Sequence, residues 1–149
     1  MKFVDEAIIS VKAGDGGNGV VSFRREKYIP RGGPDGGDGG KGGAVFLLVT
    51  RKVATLNDVA RRHVHRAENG RPGQGKDKTG RSGKNLEIRV PPGTVVRDAD
   101  TEEQVYDLVE EGQKSQIARG GQGGRGNKSF ATATNQVPRQ FTRGEPGAD

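Results

Sequence analysis

Apolar and polar residues alternate, or β-branched residues run together, in six stretches of the chain. The clearest are AIISVKA (7–13), AVFLLVT (44–50), LEIRV (86–90), GTVVRD (93–98), QVYDLV (104–109) and KSQIA (114–118). Period-two alternation closed by turn residues predicts β-strands. VPPGT (90–94) and EEGQ (110–113) supply the turns. From Thr55 to Val64, TLNDVARRHV combines a Thr in capping position with apolar residues at helical spacing, which predicts one brief helix. Segments 2–12, 44–65 and 86–118 hold most of the Leu, Ile, Val and Phe, so the expected class is mainly β with one modest core.

A different texture fills the intervals 13–43, 66–85 and 119–147. Residues 32–43 read GGPDGGDGGKGG, glycine on a three-residue beat. A polyproline II strand turns once every three residues, so Gly33, Gly36, Gly39 and Gly42 would share one face and Gly37, Gly40 and Gly43 the next. Grooves without side chains are filled only by another backbone, whose N–H and C=O groups then pair with those exposed. Suitable partners recur at Gly14–Gly19, Gly70–Gly75, Gly80–Gly83 and Gly120–Gly126. One such cluster alone would read as disorder, and the triplets are too few and too charged for collagen. Their recurrence argues for mutual packing. Each excursion leaves the strands and returns, giving six extended limbs, and a ten-residue limb would reach roughly 30 Å.

Composition narrows the function. The absence of cysteine excludes disulfides and thiolate metal sites and fits a reducing compartment. The longest apolar run, Ala44 to Val49, is too short for a bilayer, and Asp5 and Glu6 interrupt the N-terminus too early for a secretory leader. A cytoplasmic protein with no membrane partner is expected. The net charge of +6 sits in the sector from Arg61 to Lys84, whereas Asp98 to Glu111 carries seven acids and no base. Such a molecule orients in the field of a polyanion.

The far ends of the three excursions are the candidate site. The first holds Arg24, Arg25, Lys27 and Arg31 beside Phe23 and Tyr28, and the second holds Lys76, Lys78, Arg81 and Lys84. The third holds Lys128, Arg139 and Arg143 with Phe130 and Phe141. Cations interleaved with aromatics suit phosphate contact and base stacking on structured RNA.

Apparent nucleotide motifs do not carry chemistry. G-x-G-x-x-G occurs at Gly14–Gly19, Gly37–Gly42 and Gly121–Gly126, but no helix is predicted after any of them to hold a pyrophosphate. GRPGQGKD (70–77) matches a P-loop until Asp77, where a hydroxyl should meet magnesium. His63 and His65 lack further ligands for a metal. No catalytic residue, metal site or small-molecule substrate is therefore assigned to this chain.

FRREKYIPRGGPDGGDGGKGG (23–43), AGDGGNG (13–19), VPPGTVV (90–96) and ARGGQGGRGN (118–127) together resemble the N-terminal domain of the Obg (CgtA) family of ribosome-associated GTPases. The resemblance implies an Obg fold over 1–149: a small β-barrel from 2–12, 44–65 and 86–118, bearing six left-handed glycine-rich helices of polyproline II type from 13–43, 66–85 and 119–147. It implies docking on the RNA of the large ribosomal subunit, in ribosome assembly and checkpoint control. The RNA-facing residues would be Arg24, Arg25, Lys27, Tyr28, Arg31, Lys76, Lys78, Arg81, Lys84, Arg139 and Arg143, and the structural glycines Gly33, Gly36, Gly39, Gly42, Gly80 and Gly83. Gly80 lies in TGRSG, where the family also uses glycine, so a charged replacement should disturb the bundle. The resemblance also implies a GTPase domain after residue 149, binding GTP and magnesium in a longer parent. The alternative function is a scaffold that recruits protein regulators through the acidic 98–111 segment.

Overall fold

The computed structural model describes residues 6–23, 32–98, 104–130 and 143–147. They form β1 (Ser10–Lys12), β2 (Val45–Val49), α1 (Asn57–Ala60), β3 (Val64–Arg66), β4 (Leu86–Val90), β5 (Thr94–Arg97), β6 (Gln104–Leu108), β7 (Lys114–Ala118) and a 3-10 turn at Asn127–Phe130. The protein is mainly β with almost no helix. Its strands lie in three sheets, β1–β3, β4–β2–β7 and β5–β6, and among the described residues none of these sheets closes on itself.

β2 explains the central sheet. Its sequence VFLLV is apolar throughout because β4 flanks one edge in parallel and β7 the other antiparallel. β4 keeps the strict alternation of a strand with one wet face, with Ile88 and Val90 buried and Glu87 and Arg89 exposed. Glu87 and Phe46 are register partners, and Lys114 of β7 meets Glu87 at 2.8 Å while lying 4.5 Å from the Phe46 ring centroid. The core gathers Val45, Leu47, Val49, Val59, Ile88, Val90, Leu108 and Ala118, with Ala13 and Ala67 at the roots of two glycine excursions. Both turns expected from sequence are present and pivot on glycine, Gly93 at φ 87° and Gly112 at φ 82°.

Two elements differ from expectation. The helix expected over 55–64 is cut to Asn57–Ala60, with Val59 buried and the Thr55 hydroxyl accepting the Asn57 N–H at 3.3 Å. Val64 instead belongs to β3, which pairs in parallel with β1 through Ser10↔Val64 and Lys12↔Arg66. Tertiary strand pairing thus overrides the local helical spacing.

The glycine intervals supply six limbs: one (13–22), two (32–44), three (67–75), four (78–85), five (119–126) and six (143–147). One and two run antiparallel, with Gly14 N–H donating to Gly43 O at 2.8 Å, Gly17 N–H to Gly40 O at 2.8 Å and Val20 N–H to Gly37 O at 3.2 Å. Three and four pair through Arg71 N–H to Arg81 O and Gln74 N–H to Lys78 O. The amides of Gly121 and Gly124 on limb five reach the carbonyls of Gly14 and Gly17.

Limb two is the hub, and its doubled glycines follow from that position. The amides of Gly37, Gly40 and Gly43 donate to limb three, and those of Gly39 and Gly42 donate to limb five. The carbonyls of Asp38, Lys41 and Ala44 accept from Gly80, Gly83 and Leu86 of the segment that runs from limb four into β4. All three rows of one limb are consumed by neighbours. A methyl group on Gly39 or Gly42 would fall on the Gly17 or Gly14 carbonyl oxygen, and one on Gly37 or Gly40 on that of Lys78 or Arg81. Gly36, Gly80 and Gly83 likewise face the carbonyls of Val20, Arg71 and Glu68, whereas a Cβ on Gly33 would meet nothing within 4 Å among the described residues.

Candidate nucleic-acid interface

The bonds among limbs one to five recur at three-residue intervals, so side chains three apart fall in rows. On limb four, Gly80 and Gly83 face inward, and Lys78, Arg81 and Lys84 form a row that is exposed throughout. The carbonyls of these three cations accept the limb-three amides of Gln74, Arg71 and Glu68 at 2.9, 2.8 and 3.4 Å. Their backbones are thereby fixed while their side chains stay free to reach solvent. Arg71, also exposed, adds a fourth cation from the neighbouring limb.

At the end remote from the sheets the three excursions are knotted together. Limb three turns into limb four through Gly75, Lys76 and Asp77, closed by the Gln74↔Lys78 bridge. Lys76 and Asp77 both have φ of 61°, a left-handed conformation costing of order 1–3 kcal/mol per non-glycine residue. Asp35 at the start of limb two offsets that cost. Its Oδ2 accepts the Lys76 N–H at 3.0 Å and its backbone carbonyl accepts the Asp77 N–H at 2.9 Å. Asp35 is 3% exposed and its Oδ1 has no hydrogen-bond partner among the described residues, so a buried carboxyl oxygen lies behind the tip that presents Lys76.

The third excursion joins through Asn127, which is fully buried. Its Oδ1 accepts the N–H of Gly36 at 2.8 Å and of Ser22 at 3.3 Å, and its Nδ2 donates to the Ser22 carbonyl at 2.9 Å. Lys128 Nζ then meets Asp77 Oδ1 at 3.1 Å. That pair is partly exposed, so it contributes less than about 1 kcal/mol, but it fixes which segments are neighbours. Arg125 lies 4.8 Å from the Phe130 ring centroid and donates to the Ser129 carbonyl at 2.9 Å.

The expected site residues are placed unevenly. Lys76, Lys78, Arg81 and Lys84 lie on one turn and one limb. Arg24, Arg25, Lys27, Tyr28, Arg31 and Arg139 lie outside the described residues. Arg143 is exposed at the start of limb six, where the neighbouring Gly144 N–H reaches Asn18 Oδ1 at 2.9 Å. Limb six is bonded to limbs one and five, and limb four to limbs two and three.

Sequence reasoning missed the short polar side chains that act as surrogate carbonyls. Asn69 Oδ1 accepts Asp15 N–H, Asn85 Oδ1 accepts Ala44 N–H, Asp38 Oδ1 accepts Gly126 N–H and Asp15 Oδ1 accepts Gly147 N–H, all between 2.7 and 2.9 Å. The available signal was an Asn or Asp beside glycine, which reads equally well as a turn.

Most amides of the P-loop-like stretch are already engaged within the bundle. Its amides at Gly70 and Gly73 are spent on the Asp15 and Asn18 carbonyls, and those at Lys76 and Asp77 on Asp35. Among the described residues no group of three or more His, Cys, Asp or Glu could hold a metal ion, and no helix is long and apolar enough to cross a membrane.

These features define a class: a mainly β protein carrying a bundle of glycine limbs with a cationic edge. The chain belongs to the GTP1/OBG family, whose pattern it matches over residues 4–149. It is 57% identical over 147 residues to the GTPase Obg of Chlorobaculum parvum, covering 99% of this chain and 44% of that protein. Against the GTPase Obg of Chlorobaculum tepidum it is 56% identical over 149 residues, all of this chain and 44% of that protein. The chain therefore spans less than half the length of these relatives.

Proposed function

We propose that this chain is the docking module of a longer Obg-type GTPase and that it attaches the parent protein to the RNA of the large ribosomal subunit. The observation that carries this reading is the exposed row Lys78, Arg81 and Lys84 beside Lys76, fixed by backbone bonds on a bundle whose far end is knotted by Asp35 and Asn127. A rigid comb of cations meets a regular polyanion without losing side-chain-bearing backbone entropy on contact. In this reading the limbs are of polyproline II type, the strands enclose a small barrel, 1–149 acts as one unit, and the parent works in the cytoplasm. GTP and magnesium belong to the remainder of the parent, since the amides of Gly70, Arg71, Gly73, Gln74, Lys76 and Asp77 are already spent.

The test is salt-dependent binding of the chain to large subunits and to ribosomal RNA. The variant Lys76→Gln, Lys78→Gln, Arg81→Gln, Lys84→Gln alters only exposed side chains. It should bind more weakly, with a log affinity against log salt slope shallower by roughly 3. An unchanged slope rejects the assignment.

A further inference from the structure

We propose that the outer face of the β5–β6 hairpin is a docking surface for a basic amphipathic polypeptide segment of a partner protein. This goes beyond the RNA reading and uses a different part of the molecule. The inner face of the hairpin is already committed, since Leu108 is fully buried and Val96 and Tyr106 pack against the core. Tyr106 also donates its hydroxyl to the Gln116 carbonyl at 2.7 Å. The outer face is the reverse. Val95, Val105 and Val109 are 46%, 51% and 57% exposed.

Their placement makes them a patch rather than scattered residues. Val95 is the register partner of Asp107, and Val105 and Val109 stand two residues to either side of Asp107. Val105 sits at the irregularity of the β5–β6 ladder and Val109 just past the end of β6, so the three exposed valines fall on and around the Val95–Asp107 pair. Glu110 and Glu111 extend the acidic side, and Glu111 is held in place by accepting the Arg51 N–H at 2.6 Å. Between residues 94 and 111 the only base is Arg97.

Charge and backbone geometry select the occupant. RNA and anionic lipid are repelled by these acids. A second copy related by two-fold symmetry would bring Asp107 and Glu110 against the same acids of its twin. Strand addition at the C-terminal end of β6 is hindered by Gln113, whose Oε1 accepts the N–H of Val109 at 3.1 Å and of Glu110 at 3.2 Å, and whose Nε2 donates to the Asp107 carbonyl at 3.4 Å. What fits is a segment with an apolar stripe for the valines and Lys or Arg beside it for the acids.

The experiment uses the isotope-labelled 149-residue chain and a fluorescent amphipathic Leu/Lys peptide, with oligolysine and a Leu/Glu peptide as comparisons. Amide shifts should cluster at Val95, Val105, Asp107 and Val109. Val105→Thr and Asp107→Lys, both exposed and structurally mild, should each weaken the Leu/Lys peptide about tenfold or more, and oligolysine should bind at least about tenfold more weakly. Shifts elsewhere, equal binding of oligolysine or of the Leu/Glu peptide, or unchanged affinity in both variants overturns the proposal. RNA binding by Val105→Thr should stay within about twofold, which separates this surface from the cationic edge. A loss of RNA binding there, or of a concentration-dependent dimer, would give the face to RNA or to a second copy and overturn the proposal.

Discussion

A methyl group at position 39 would land on the carbonyl oxygen of Gly17, whereas a methyl group at position 33 would meet nothing among the described residues. The two glycines belong to the same three-residue row, so the pair separates the steric demand of the bundle from the loss of glycine itself. Gly33→Ala should leave stability nearly unchanged. Gly39→Ala forces two backbones apart, and overpacking of that kind costs about 3 kcal/mol or more, a fall in Tm of roughly 10 °C on thermal unfolding. Equal Tm values for the two variants would mean that the limbs separate freely. The glycine rows themselves were legible in the sequence because bare backbone at a fixed period admits few neighbours other than backbone. Gly33 was not distinguishable, since the period runs on past the last limb that uses it. Asp35 and Asn127 were also hidden. Each looks like a spacer in a turn-rich string, and only the convergence of three distant segments makes one a brace for a strained turn and the other a clip.

At the scale of elements, strands were legible and their partners were not. Alternation marked β4, β5, β6 and β7 and the buried run marked β2, because those patterns record which side chains face the core. Alternation says nothing about which strand lies alongside. β2 pairs in parallel with β4 across the whole second excursion, and β3 pairs in parallel with β1 across the first. The strand β3 is three residues long, below the length at which a period declares itself. Ile8 shows the same limit from the other side, since it continues the apolar run into β1 yet is 81% exposed. The position of β2 at the centre of its sheet gives a test. Leu47→Ala removes a buried side chain between two bonded neighbours and should cost about 2–5 kcal/mol in chemical denaturation. A cost below 1 kcal/mol would show that β2 does not anchor the core.

For the molecule as a whole, the question is whether the limbs open independently of the sheets. A bundle with so little buried hydrocarbon would ordinarily exchange its amides quickly, since local opening exposes little apolar surface. Here each limb is bonded to at least two others, and the partners are far apart in sequence: Gly17 to Gly40, Gly40 to Arg71, Gly124 to Gly17. Freeing one limb therefore unpairs amides in two more. The roots are tied into the core as well, because Ala13 and Ala67 lie in the apolar cluster and the Ala67 N–H bonds to the Lys12 carbonyl at 2.9 Å. Opening should then be cooperative with the sheets. In native-state hydrogen exchange, the amides of Gly17, Gly40 and Gly124 should share the protection of Val49 in β2 and lose it together with Val49 as denaturant is added. If the three glycines exchange in seconds while Val49 stays protected, the limbs come apart on their own. A cationic row mounted on such limbs could not hold the fixed spacing that contact with a regular polyanion requires.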